Sequence, residues 1–202
     1  MQTAFDLTTT PATPVQRRTA LLALAGIFSI AAFVLPFVRW PLSTFSGFVP
    51  ALCGSLVVMD FVTAALLLRQ AALSRRLALV LLAAGFFVTG ALIVAYMLAF
   101  PGALEGLSRR AGAQAPSWLW VCWHLTVPLA VAVYVATAGQ TRERLPFATV
   151  TAGAPLLGLL AAAGVIAAAP FLPAYSHDGV WDPFVPHVIE PLMFVAVGSA
   201  LA

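Results

Sequence analysis

The stretch LALVLLAAGFFVTGALIVAYMLAF, residues 77–100, contains no charged side chain and decides the fold class of this chain. A bilayer core about 30 Å thick requires roughly 20 apolar residues of α-helix. Backbone polar groups in hydrocarbon must be satisfied within the segment, which favours a helix. Residues 77–100 therefore predict a membrane-spanning helix.

Five other stretches have the same apolar character and predict five more spans, at about residues 19–38, 47–68, 117–137, 147–172 and 184–202. The 202 residues are 62% hydrophobic and only 8% charged. A soluble domain of this length does not need so much apolar surface. We predict an all-α, polytopic transmembrane bundle of six spans over residues 17–202, preceded by a flexible cytoplasmic tail over residues 1–16.

The arginines predict the orientation of these spans. If the N-terminus is cytoplasmic, three arginines lie outside (Arg39, Arg109 and Arg110) and seven lie inside: Arg17, Arg18, Arg69, Arg75, Arg76, Arg142 and Arg144. The positive-inside rule favours this arrangement. We interpret the arginines as topology markers and expect no nucleic-acid partner, because nucleic-acid binders cluster basic residues along one face.

The tryptophans support the same orientation. They lie at or near the predicted outer ends of spans: Trp40, Trp118, Trp120, Trp123 and Trp181. Tryptophan favours the headgroup interface, so Trp118 and Trp123 are anchors or, alternatively, aromatic contacts for a ligand.

The end of the sequence bears on the length of the domain. Six spans return the C-terminus to the cytoplasm, yet no arginine follows the last span. We therefore expect this chain to be part of a longer protein and the domain to be incomplete at its C-terminus.

Four ionisable side chains fall inside predicted spans: Asp60, His124, His187 and Glu190. Such groups are costly in a membrane and are candidates for ligand binding or signalling. Asp60 is either a structural hydrogen-bond partner or a relay. His124 is either a buried histidine tied to a neighbouring helix or a contact for a ligand, proton or haem.

His124 and Glu190 are predicted at similar depth, so a contact between them is geometrically allowed. Pro186 and Pro191 flank Glu190 and disturb helical hydrogen bonding. We predict this proline-flanked region to be the element that switches between two helix packings.

Catalytic machinery is not predicted. The chain has no phosphate-binding loop, nucleotide-binding glycine fingerprint or nucleophile elbow. Cys53 and Cys122 lie in apolar runs and are predicted to be buried thiols. His177, Asp178 and Asp182 predict a solvated outer loop rather than a divalent-cation site. We expect no metal, no cofactor and no enzymatic activity in this chain.

Three blocks of sequence resemble the fourth type of the bacterial membrane-associated sensor domains, the MASE group. The first block is FVPA (48–51), MDFVTA (59–64) and LLLRQ (66–70), the second is LAFPG (98–102), and the third is WLWVCWH (118–124). The resemblance covers about residues 38–202. Positions that match the family are Asp60, Pro101, Gly102, Trp118, Trp123 and His124.

The resemblance implies an integral membrane input module that lies N-terminal to a cytoplasmic histidine kinase or diguanylate cyclase. It also implies a longer domain, with further spans, and a homodimer formed through the complete protein. Partners are then the lipid bilayer and an output domain in cis. Two alternatives remain: a small transporter or haem- or proton-handling membrane protein, and a scaffold subunit that binds partners within the bilayer.

Overall fold

The computed structural model describes residues 13–37, 48–100, 111–142, 145–177, 180–181, 191 and 195. Helix α1 spans Pro14–Val34 and continues as a 3-10 turn over Leu35–Phe37. Thr13 and Gln16 begin this helix as a capping box: the Gln16 N–H lies 3.3 Å from Thr13 Oγ1, and the Thr13 N–H donates to Gln16 Oε1 at 2.8 Å. The last residues of the predicted tail are therefore helical.

The remaining helices belong to a second unit that begins at Ser46. Helix α2 spans Phe48–Ser74, α3 spans Leu77–Ala99, α4 spans Ala115–Thr137 and α5 spans Phe147–Ala168. A 3-10 turn, Ala169–Phe171, extends α5. All five helices of the described residues are long and apolar enough to cross a membrane. Five of the six predicted spans are thus confirmed as helices.

The predicted sixth span lies outside the described residues, apart from Pro191 and Val195. The structure also adds a feature that an all-α prediction lacks. Ser176–His177 pairs with Val180–Trp181 as a two-residue antiparallel ladder after α5. The hairpin contains the predicted outer-loop residue His177, whereas Asp178 and Asp182 lie outside the described residues.

Helix α3 is the centre of this unit. In the most apolar 18-residue stretch of α3, 61% of the residues are buried, against 11–22% in the corresponding stretches of α2, α4 and α5. Each of these three helices packs on α3. Helix α5 packs on α3 through small residues, which form a buried stripe of Ala154, Gly158 and Ala162.

Glycines allow the closest helix contacts. A Cβ atom at Gly85 of α3 would overlap with Ala130 of α4, and one at Gly158 of α5 would lie 2.8 Å from the Ala91 Cβ of α3. Gly90 of α3 faces the ring of Phe61 on α2. At 100° per residue, Gly85 and Gly90 point about 140° apart. Helices α2 and α4 therefore contact largely different sides of α3.

Exposed apolar faces surround this core. Leu156, Leu157 and Leu160 of α5 are all more than half exposed, and Val58 and Met59 of α2 are exposed in the same way. A soluble protein rarely leaves such continuous apolar faces uncovered. Hydrocarbon is a solvent that accommodates these faces without cost.

Candidate functional site

The tryptophan end of the bundle is the cluster of Trp118, Trp120, Trp123 and Tyr175. The Trp118 Nε1–H donates to the Pro173 carbonyl at 3.1 Å, and the rings of Trp118 and Tyr175 meet edge to face with centroids 6.2 Å apart. The Tyr175 N–H donates to Gln114 Oε1 at 2.8 Å. The beginning of α4 is thus fastened to the segment that follows α5.

His124 lies two turns into α4, between two indole rings. Its ring centroid is 3.9 Å from that of Trp120 and 3.6 Å from that of Trp123. His124 Nδ1 lies 2.8 Å from the Trp120 carbonyl oxygen. A carbonyl oxygen only accepts, so Nδ1 carries the proton and the neutral ring keeps Nε2 as its acceptor. The backbone therefore fixes which nitrogen is available to a ligand or proton.

Pro128 weakens α4 directly after this histidine. Proline has no N–H, so the His124 carbonyl loses its partner one turn later in the helix. The nearby Thr126 hydroxyl donates to the Cys122 carbonyl at 2.8 Å. Hydroxyl bonds of this kind and interior prolines are recognised causes of helix bending. The imidazole and the weakened turn are consequently adjacent.

Trp123 differs from its neighbours because it packs into the core between helices. It contacts the buried cluster that includes Leu92, Leu119 and Ala162. Its Nε1 is buried and has no hydrogen-bond partner among the described residues. An indole N–H normally finds a partner when it is buried. Trp118 packs instead with Val121 and Tyr175. Trp118 and Trp123 therefore both pack against other residues of this protein. Anchoring in the headgroup region stays a prediction for both.

Asp60 is the acidic side chain of α2. Its Oδ2 atom is buried without a hydrogen-bond partner among the described residues. The hydroxyls of Ser55 and Thr89 bond elsewhere, because Ser55 donates to the Ala51 carbonyl at 3.0 Å and Thr89 to the Gly85 carbonyl at 2.9 Å. Because α2 and α4 contact different sides of α3, Asp60 is not brought together with His124.

The remaining predicted site residues cannot be placed relative to His124. His187 and Glu190 lie outside the described residues, as does Pro186. Within the described part of the chain, no group of three histidines, cysteines or acidic residues could hold a metal ion. Sequence reasoning missed Gln114, Pro173 and Tyr175. Gln114 and Tyr175 are 61 residues apart, and only the fold shows that they meet.

The arginine end lies at the opposite ends of the same helices and consists of Arg75, Arg76 and Arg142. Arg76 forms an isolated antiparallel bridge with Thr141. The Leu77 N–H donates to the Gln140 carbonyl at 3.1 Å, and the Arg142 N–H donates to the Arg75 carbonyl at 3.1 Å. The α2–α3 turn is thereby joined to the connection that follows α4.

A family model described as a membrane-associated sensor, integral membrane domain (MASE4), matches residues 43–180. The matched region begins after α1 and ends within the short hairpin, so it includes Asp60, Trp118, Trp123 and His124 but not His187 or Glu190. The match confirms the resemblance seen in the sequence, over a shorter region than the 38–202 expected. No curated protein and no solved structure matches the chain.

Proposed function

The chain belongs to the MASE4 family of integral membrane sensor domains, and from this premise we propose how it passes on a signal. A stimulus in the membrane or at the outer face acts at the tryptophan end and changes the packing of α4. That change reaches a cytoplasmic output domain, a histidine kinase or a diguanylate cyclase, encoded after residue 202. The complete protein acts as a homodimer in the bacterial inner membrane, with its N-terminus in the cytoplasm.

The observation that carries this proposal is the arrangement along α4. One end is fastened to Pro173 and Tyr175 by Trp118 and Gln114, and the connection after its other end is bonded to Arg75 and Leu77. Between them lie His124 and Pro128, where the helix lacks one backbone hydrogen bond. A helix that is held at both ends and weakened between them has the features of an element with two packings.

The groups around His124 indicate which kind of ligand this site would bind. His124 offers Nε2 between two indole faces, which suits a small ligand that donates one hydrogen bond and stacks on an aromatic ring. Binding there would compete with the present packing of Trp120 and Trp123. Switching at the proline-flanked Glu190, expected from the sequence, stays a prediction. The described geometry supports Pro128 as a second candidate.

A joint proton path through Asp60 and His124 is not supported, because their helices contact different sides of α3. Asp60 is still a proposed signalling residue in its own right, since a buried carboxylate oxygen without a partner is unusual in a membrane. A sensing role for Asp60 would require protonation or a partner from outside the described residues.

Two measurements test the proposal. The reading frame after residue 202 should encode a kinase or cyclase, and an unrelated domain there would remove the proposed output. In membranes that contain the complete protein, both His124→Ala and Pro128→Ala should change output activity. The first removes the imidazole of the proposed site, and the second restores the N–H that α4 lacks at residue 128. Pro155→Ala is the matched control, because Pro155 also lies inside a helix, α5.

The following outcome would contradict the proposed site. Output would be unchanged by substitutions at His124, Pro128, Asp60 and Glu190, although each variant still inserts in the membrane. An equal effect of Pro128→Ala and Pro155→Ala would show that α4 has no special role.

A further inference from the structure

Backbone hydrogen bonds at the arginine end hold two separate arginines together. The Arg142 N–H donates to the Arg75 carbonyl at 3.1 Å, so the backbones of these residues are closer than one arginine side chain is long. Both residues are exposed. Their guanidinium groups can therefore reach the same bound group.

This pairing is electrostatically unfavourable by itself. Like charges on directly opposed strand residues destabilise the pairing. Within the described part of the chain, neither guanidinium forms an ion pair or side-chain hydrogen bond. Residues 69–76 and 139–146 together contain five arginines and a single acid, Glu143, which lies outside the described residues. The end of the bundle thus has an excess of positive charge that an anion would neutralise.

The backbone at this position is also strained. Arg75 has φ 55°, a left-handed conformation that glycine usually supplies. It closes α2 through a bond from its own N–H to the Ala71 carbonyl at 2.7 Å. The fold retains an arginine where glycine would fit better, and such outliers concentrate at functional positions.

We propose that Arg75 and Arg142 bind the phosphate of an anionic phospholipid headgroup, such as that of phosphatidylglycerol. The forked guanidinium matches phosphate oxygens. The family is an integral membrane domain, and these arginines lie in the short connections after helices that are long and apolar enough to cross a membrane. The ends of such helices are where headgroups are expected. Basic pockets between spanning helices are known to bind acidic headgroups. The lipid would tie the α2–α3 turn to the connection after α4.

The test compares lipid binding by the purified chain in an uncharged detergent, with phosphatidylglycerol and phosphatidylcholine as probes and native mass spectrometry as readout. Arg142→Gln should weaken phosphatidylglycerol binding by about fivefold and leave phosphatidylcholine unchanged. Arg69→Gln is the matched control: Arg69 is exposed on α2 and lies outside the bridge, and the change in charge is identical.

If Arg142→Gln does not fold, as judged by circular dichroism, Arg75→Gln replaces it with the same expectation. Equal weakening by Arg69→Gln would overturn the proposal, because binding would then follow total charge. Inorganic phosphate serves as a second probe. If millimolar phosphate displaced the lipid and bound with the same arginine dependence, the assignment to a lipid would be wrong.

Discussion

The two ends of the helical unit are held together in different ways. At the tryptophan end, side chains make the connections: the Trp118 indole binds the Pro173 carbonyl and the Gln114 amide binds the Tyr175 N–H. At the arginine end, main-chain groups of residues 75–77 bind main-chain groups of residues 140–142.

This difference separates a changeable end from a constant one. A side-chain hydrogen bond can be broken by a ligand that offers a better partner, whereas a backbone bridge does not depend on side-chain identity. The proposed stimulus therefore acts at the tryptophan end, and the arginine end transmits it. Because α4 reaches both, substitutions along it and at each end show whether the comparison is right.

The largest effect is expected where α4 touches α3 between the two ends. Gly85→Leu would place a side chain where Ala130 lies and force the helices apart. Overpacking of a core costs about 1–3 kcal/mol, and even the Cβ atom of the new side chain overlaps with Ala130. Thermal unfolding in detergent, followed by circular dichroism, should show the loss. Gly54→Leu on α2 is the control, because nothing lies within 4 Å of a Cβ atom there.

The next effect concerns the constant end. Arg142→Pro removes the N–H that donates to the Arg75 carbonyl, whereas Arg142→Ala keeps it. Proline should cost about 1–2 kcal/mol more than alanine, because the net value of one hydrogen bond is lost and the ring restricts the backbone of residues 141 and 142. The two variants have the same charge, so the difference in unfolding free energy reports the change in the backbone at residue 142 and not a change in charge. Equal stability of both variants would mean that the bridge does not hold this end.

Hydropathy alone predicted five of the helices, because a span needs only length and apolar side chains. It did not identify α3 as the centre, since the spans look alike until glycines such as Gly85 and Gly90 reveal close contacts on several sides. Nor did hydropathy show which side of α5 is buried by its small residues. They form one buried stripe, while Leu156 and Leu160 remain exposed.

The candidate site was predicted less completely. Trp118, Trp123 and His124 lie close in sequence and share one helix, so the sequence already grouped them. The partners of Trp118 follow α5 and depend on how α4 and α5 end. For the same reason the sequence could not show whether Asp60 lies near His124: helix neighbours follow from packing geometry, which hydropathy does not encode.

A smaller effect is expected at the changeable end. Trp118→Phe removes the bond to the Pro173 carbonyl but keeps an aromatic ring against Tyr175. The loss should be about 1 kcal/mol, the typical net value of one hydrogen bond. Trp120→Phe is the control, because Trp120 packs in the same cluster and its indole N–H forms no hydrogen bond with the residues that the structure describes. If both variants unfold at the same temperature, the indole N–H does not fasten α4.

The smallest effect distinguishes strain from charge at the constant end. Arg75→Gly and Arg75→Ala remove the same charge, but only glycine adopts φ 55° without a steric penalty. The left-handed conformation costs other residues roughly 1–2 kcal/mol, and the extra unfolded-state freedom of glycine offsets roughly half of that. The glycine variant should therefore be more stable than the alanine variant by about 0.5–1 kcal/mol in an uncharged detergent. A more stable alanine variant would show that the turn relaxes away from φ 55°. The backbone bridge between residues 75–77 and 140–142 would then not be rigid, and the arginine end would not be the constant end of the helical unit.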